Sequence, residues 1–124
     1  MSYVPIILLV EPDNAVRDLL LNILEDAGYA VVAHESAEEA LAHLEAGCAA
    51  DLLVTEVLLS KLDGWQLAKD ARRLCPGLPI IFIPAHDRSR SKRGRRSFVL
   101  PKPFGARAFL IAVRLMTTPL IVYQ

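Results

Sequence analysis

Glu56 closes the apolar run "DLLVTE" (51–56), and Glu11 closes "VPIILLVE" (4–11), with Pro12 and Asp13 directly after it. A chain leaving a buried strand delivers its next residue to the rim of the sheet, where sites of open α/β folds lie. A carboxylate there is a candidate for chemistry, provided its neighbours support it. The other conspicuous charged group is a basic stretch in which Arg88, Arg90, Lys92, Arg93, Arg95 and Arg96 fall within nine residues. These charges carry no interleaved aromatics and no reading helix, so they offer attraction without sequence readout.

The elements that must position these residues follow from periodicity. Residues 4–10 form a continuous apolar run, as expected of a strand covered on both faces. Val16, Leu19, Leu20, Ile23, Leu24 and Ala27 trace a helical stripe that Gly28 ends. Residues 29–33 make a second strand. Ser36 with Glu39 forms a capping box opening a helix over 37–46. A third strand covers 51–57. After Asp63-Gly64, a turn and helix start, Trp65, Leu67, Ala68, Ala71 and Leu74 line one helical face as far as Pro76. Residues 78–83 and 98–100 are a fourth and a short fifth strand, and 105–116 the last helix. Strands alternating with helices predict an α/β fold with a doubly wound parallel sheet, helices on both faces and one domain over 1–124. In this fold Glu11, Pro12 and Asp13 meet Glu56 at the switch point between the first and third strands. Residues 86–97 break the pattern, so the fourth helix is predicted to be short or replaced by a loop.

Composition limits the function classes. Of 124 residues, 53% are hydrophobic and the mean hydropathy is +0.34, yet no apolar run reaches the ~18 residues a membrane span needs. Cys48 and Cys75 lack CxxC spacing, and a soluble, cytoplasmic protein is expected. Neither a Walker loop, GxGxxG nor HExxH is present. His34, His43 and His86 lack ligand spacing, Asp51 is expected to be exposed, and Trp65 to pack on the sheet. Zero net charge hides an asymmetry: residues 1–70 hold 13 of the 14 acids and three bases, residues 71–124 one acid and eleven bases. An acidic site on one part of the molecule and a cationic face on another are expected.

Four stretches carry a resemblance. "IILLVEPDNAVRDLL", "DLLVTEVLLSKLDG", "LPIIFIPA" and "VLPKPF" resemble, in order and spacing, the receiver domain of two-component response regulators. The resemblance implies a flavodoxin-like sheet of order 2-1-3-4-5 and a role in phosphorelay signalling rather than as an enzyme. In that family two carboxylates and an acceptor aspartate hold Mg²⁺. The acceptor attacks a kinase phosphohistidine, and a Thr/Ser hydroxyl and a lysine bind the phosphoryl oxygens. Carried over, Glu11 matches the first acid, while Pro12 replaces the second. Glu56 takes the acceptor position and Pro84 that of the Thr/Ser. Val99 stands for an aromatic, and only Lys102 is intact, with Pro103 a candidate for a cis peptide. "FIPAH" (82–86) partly matches a subgroup with a Phe-Ala-Thr-Gly-type fourth strand and a loop for the fourth helix.

These departures imply a degenerate receiver, a pseudo-receiver with no cofactor, no metal or weak ligation by Glu11 and Glu56, and a Glu56–Lys102 ion pair. Mg²⁺ binding is disfavoured. It would act as a protein-interaction module for a histidine kinase or another two-component protein. A homodimer through the face of the fourth strand and last helix is a further candidate contact. The basic loop would tune either, and action without an output domain after residue 124 is expected. Two alternatives stay open: an unconventional phospho-acceptor using Glu56 or Asp13, and an electrostatic nucleic-acid binder through 88–96, the latter disfavoured. Asp13 is expected chiefly to cap the first helix.

Overall fold

The computed structural model describes residues 3–86 and 94–118. The apolar runs become strands β1 (Ile6–Val10), β2 (Ala30–His34), β3 (Leu52–Thr55), β4 (Ile80–Phe82) and β5 (Ser97–Val99). They pair in parallel, in the order β2-β1-β3-β4-β5. The helices are α1 (Asn14–Asp26), α2 (Ala37–Glu45), α3 (Gly64–Leu74) and α4 (Ala106–Thr117). The doubly wound sheet expected from the alternation is present, in the flavodoxin-like order that the resemblance implies. β1, β3 and β4 are shorter than their apolar runs, whereas β2 and β5 keep the expected length shifted by one residue, and Glu11 and Glu56 lie just past the last paired residues. The ladder still continues into the loops through Glu11 N–H to His34 O (3.0 Å) and Glu56 N–H to Val10 O (3.0 Å).

Two cores follow from the two buried faces of the sheet. Leu8, Val10, Leu53, Ile80 and Phe82 pack with α2 and α3, whereas Ile7, Leu9, Leu52, Val54 and Ile81 pack with α1 and α4. Alternate strand residues therefore serve opposite layers, which is why the runs read as unbroken apolar sequence. Trp65 lies in the first core with its ring 4.3 Å from Phe82, packed on the sheet as expected.

Helix starts obey local chemistry. Asp13 accepts from Val16 N–H (3.0 Å), Ser36 from Glu39 N–H (3.2 Å) and Asp63 from Gln66 N–H (2.8 Å), each filling an orphan donor of a first turn. Gly28 ends α1 at φ +96°, a backbone state that other residues rarely adopt. Gly64 has a different reason. A Cβ there would stand 2.4 Å from the Glu56 carbonyl oxygen and 2.9 Å from Val57 Cα, so only glycine lets α3 start against the end of β3.

Among the described residues no helix lies between β4 and β5. Part of the expected loop at 86–97, including Arg88, Arg90, Lys92 and Arg93, lies outside them. Arg95 and Arg96 are described and exposed. Arg72 ties the start of β5 to α3, donating to the carbonyls of Leu78 (3.1 Å), Arg95 and Arg96 (3.3 Å). Asp51 departs from expectation. It is half-buried, accepting from Tyr3 O–H (2.6 Å) and Ile6 N–H (2.8 Å), because the chain entering β1 crosses the start of β3. No described helix is long and apolar enough to cross a membrane.

Candidate functional site

The carboxyl ends of β1, β3, β4 and β5 converge on one pocket. β1 delivers Glu11 and β3 delivers Glu56, both almost fully buried, with side chains 2% and 6% exposed. The segment after β5 delivers Lys102, whose own N–H donates to Pro84 O (2.9 Å), anchoring it beside the end of β4. The Lys102–Pro103 peptide is cis, as its sequence suggested.

Lys102 Nζ lies 3.0 Å from Glu56 Oε1, the ion pair the sequence predicts. It also lies 2.5 Å from Glu11 Oε1, a contact that sequence reasoning missed. The pocket therefore holds a triad of two carboxylates and one ammonium. The remaining acceptor positions are served by the main chain. Glu56 Oε2 accepts from the N–H groups of Val57 and Leu58 (3.1 Å), and Glu56 Oε1 also accepts from Ala85 N–H (3.1 Å). Glu11 Oε2 accepts from Asp13 N–H (3.0 Å). Each carboxylate oxygen thus has at least one donor, which is what buried anions require.

Burial draws the Lys102 ammonium down. Hydrogen bonding and charge from Glu11 and then Glu56 more than offset that, and its pKa is raised above 10.5. The lysine is therefore charged across the physiological range.

The other predicted site residues fall outside this triad. The Asp13 carboxylate caps α1 and is exposed; only its backbone N–H reaches the pocket. The acidic pocket expected of Glu11 with Asp13 is thus built from Glu11 with Glu56. Pro12 is exposed at the rim, Pro84 is buried beneath it, and Val99 pairs with Phe82 in the sheet and packs on the α2/α3 core. Arg17 was unforeseen. Its guanidinium donates to Glu11 O (2.8 Å) and to Asn14 Oδ1 (2.6 Å), lacing the β1–α1 loop that carries Glu11. The signal available in sequence was its i+3 spacing from Asn14 on a loop that turns straight into a helix.

The family model of the response regulator receiver domain matches residues 7–114 of this chain. The chain belongs to the response regulator receiver family. It is 35% identical over 122 residues to the response regulator MprA of Mycolicibacterium vanbaalenii, covering 91% of this chain and 52% of that protein. It is 35% identical over 105 residues to the response regulator receiver protein CpdR of Brucella abortus, covering 82% of this chain and 87% of that protein. The chain spans about half the length of several curated relatives it matches. Among solved structures, a response regulator receiver protein from Sinorhizobium medicae superposes with a TM-score of 0.87 at 32% identity, covering 92% and 94% of the two chains. As a receiver domain the chain is a two-component signalling module, of the kind that works with histidine kinases and other two-component proteins.

Proposed function

We propose that this receiver is a pseudo-receiver whose phosphorylation switch is replaced by a fixed ion triad, and that it works as a protein-interaction module for a histidine kinase or another two-component protein. The observation that supports this most directly is the lodging of Glu56. Its carboxylate takes three main-chain N–H groups and the Lys102 ammonium. A donor set of this kind suits an oxyanion, and here the chain fills it with its own side chain. The extra methylene of glutamate over aspartate lets the carboxylate reach those donors. The longer arm also occupies the space an incoming phosphoryl group would need.

Two further residues point the same way. A phosphoryl oxygen at the Pro84 position would find neither a hydroxyl nor a backbone N–H. Mg²⁺ takes about six oxygens in near-octahedral array. Pro12 offers no side-chain oxygen, and the oxygens of Glu11 and Glu56 are already engaged by Lys102 and main-chain donors. Among the described residues no group of three or more His, Cys, Asp or Glu side chains is arranged to hold a metal ion. The residues present do not fit a divalent cation, and the pocket gives phosphoryl transfer none to run through. In-line attack also tolerates little displacement, since about 1 Å can cost on the order of 100-fold.

The test is incubation with acetyl phosphate and Mg²⁺, followed by the intact mass. The unmodified chain and Glu56→Asp should both stay at their starting mass, since the aspartate alone restores neither the Pro12 nor the Pro84 position. A combined Pro12→Asp, Glu56→Asp, Pro84→Thr variant should gain a phosphoryl group. Stoichiometric labelling of the unmodified chain at Glu56 or Asp13 would replace this reading with that of an unconventional acceptor.

A further inference from the structure

We propose that the chain associates head to tail with a second copy of itself, the acidic β2 edge of one copy meeting the basic β5 edge of the next. This rests on the distribution of exposed charge and is independent of the reading of the pocket.

The fold turns the charge asymmetry of the sequence into a spatial one. Residues 13–45, which build α1, β2 and α2, carry eight acids, and all eight are exposed. Their only base, Arg17, is spent on its own loop. α1 and α2 pack on β1 and β2, so these acids flank the β2 edge of the sheet. Residues 94–118 build β5 and α4 and contain no acid. Arg95 and Arg96 are exposed directly before β5, the opposite edge, and Arg107 and Arg114 are exposed on α4, which packs on β3, β4 and α1. The molecule is thus neutral in total and polarised across its sheet.

Complementary charge selects the geometry of contact. A two-fold dimer through either edge would set like charges against each other, which is costly. That weighs against the symmetric homodimer through the last-helix face. A heterologous contact sets opposite charges together at every joint, and it leaves one edge of each kind free at the ends. Each edge also has apolar surface to close on. Phe98 is 41% exposed on β5, and Ala30–His34 of β2 are exposed or half-buried with one side of the strand unpaired by the described sheet. Single exposed ion pairs are weak, so the contact should be modest and strongly sensitive to salt. The Debye length shrinks from about 30 Å at 0.01 M to about 8 Å at 0.15 M, and the association constant should fall at least about tenfold over that range.

Sedimentation of the 124-residue chain across concentration and salt reads this directly. At low salt the weight-average mass should climb past the dimer value as concentration rises, because an open contact does not saturate. Two charge-reversed variants sharpen the test: Glu25→Lys/Glu35→Lys/Glu45→Lys at the acidic edge, and Arg95→Glu/Arg96→Glu at the basic edge. Each alone should be monomeric. The basic-edge variant keeps a native acidic edge and the acidic-edge variant a native basic edge, and their two altered edges are again opposite in charge, so mixing the two monomeric variants should restore association at low salt. Should either variant fail to fold by circular dichroism, the salt series on the unmodified chain decides. A chain monomeric at low salt, a dimer that saturates, or association indifferent to salt and to charge reversal would overturn the proposal.

Discussion

The pocket and the β5 edge handle charge in opposite ways. In the pocket two carboxylates are almost fully buried around a half-buried lysine, and each carboxylate oxygen has a donor fixed by the fold. Along the edge Arg95 and Arg96 stand in solvent, as do Arg107 and Arg114 on α4, in a stretch (94–118) that contains no acid. Burial makes a charge expensive to leave unpaired, so the pocket has one arrangement. Exposure makes a charge cheap and long-ranged, so the edge can act on a partner without shaping the fold. The contrast separates what holds this receiver together from what it can present to others.

The largest effect should come from breaking the triad. Lys102→Met leaves Glu11 and Glu56 facing each other without their cation, and urea unfolding should show a loss of about 3–5 kcal/mol. The same lysine sets a pH signature. Its folded pKa lies above the unfolded 10.5, so its stabilisation is complete below about pH 10 and is lost as pH rises through the raised value. Alkaline unfolding of Lys102→Met should lack that component, whereas a Lys102→Met chain as stable as the parent would dissolve the comparison.

Gly64→Ala comes next. Its Cβ meets backbone rather than a yielding side chain, and about 1–3 kcal/mol should be lost, with Glu56 displaced from its donors. Asp13→Ala should cost about 1 kcal/mol through the cap of α1. It should leave the Glu56–Lys102 pair in place, because only the Asp13 backbone touches the pocket. Smallest of all, Arg114→Ala should stay within about 0.5 kcal/mol, as expected of an exposed side chain away from the core. A loss of several kcal/mol there would mean that the edge is part of the fold's own support.

Much of this was legible from periodicity and punctuation. The unbroken apolar runs placed β1, β3 and β4 between two helical layers, and Asp13, Ser36 and Asp63 marked their helix starts. The Glu56–Lys102 pair followed from resemblance, since nothing local to "VLPKPF" says where its lysine points. The Glu11–Lys102 contact was not legible. It depends on β1 and the segment after β5 converging across two intervening strands, a long-range fact that no window of sequence contains. Asp51 was misjudged for a similar reason, because its partners Tyr3 and Ile6 lie more than forty residues away along the chain. The donors to Glu56 are main-chain groups, which any residue supplies and no residue type announces.

The measurement that bears most directly on the central claim is the intact mass of the unmodified chain after acetyl phosphate and Mg²⁺. A mass unchanged in the chain, with a gain of one phosphoryl group in Pro12→Asp/Glu56→Asp/Pro84→Thr, is the predicted result. A stoichiometric gain in the unmodified chain would contradict it, and the triad would then be the resting state of a working switch.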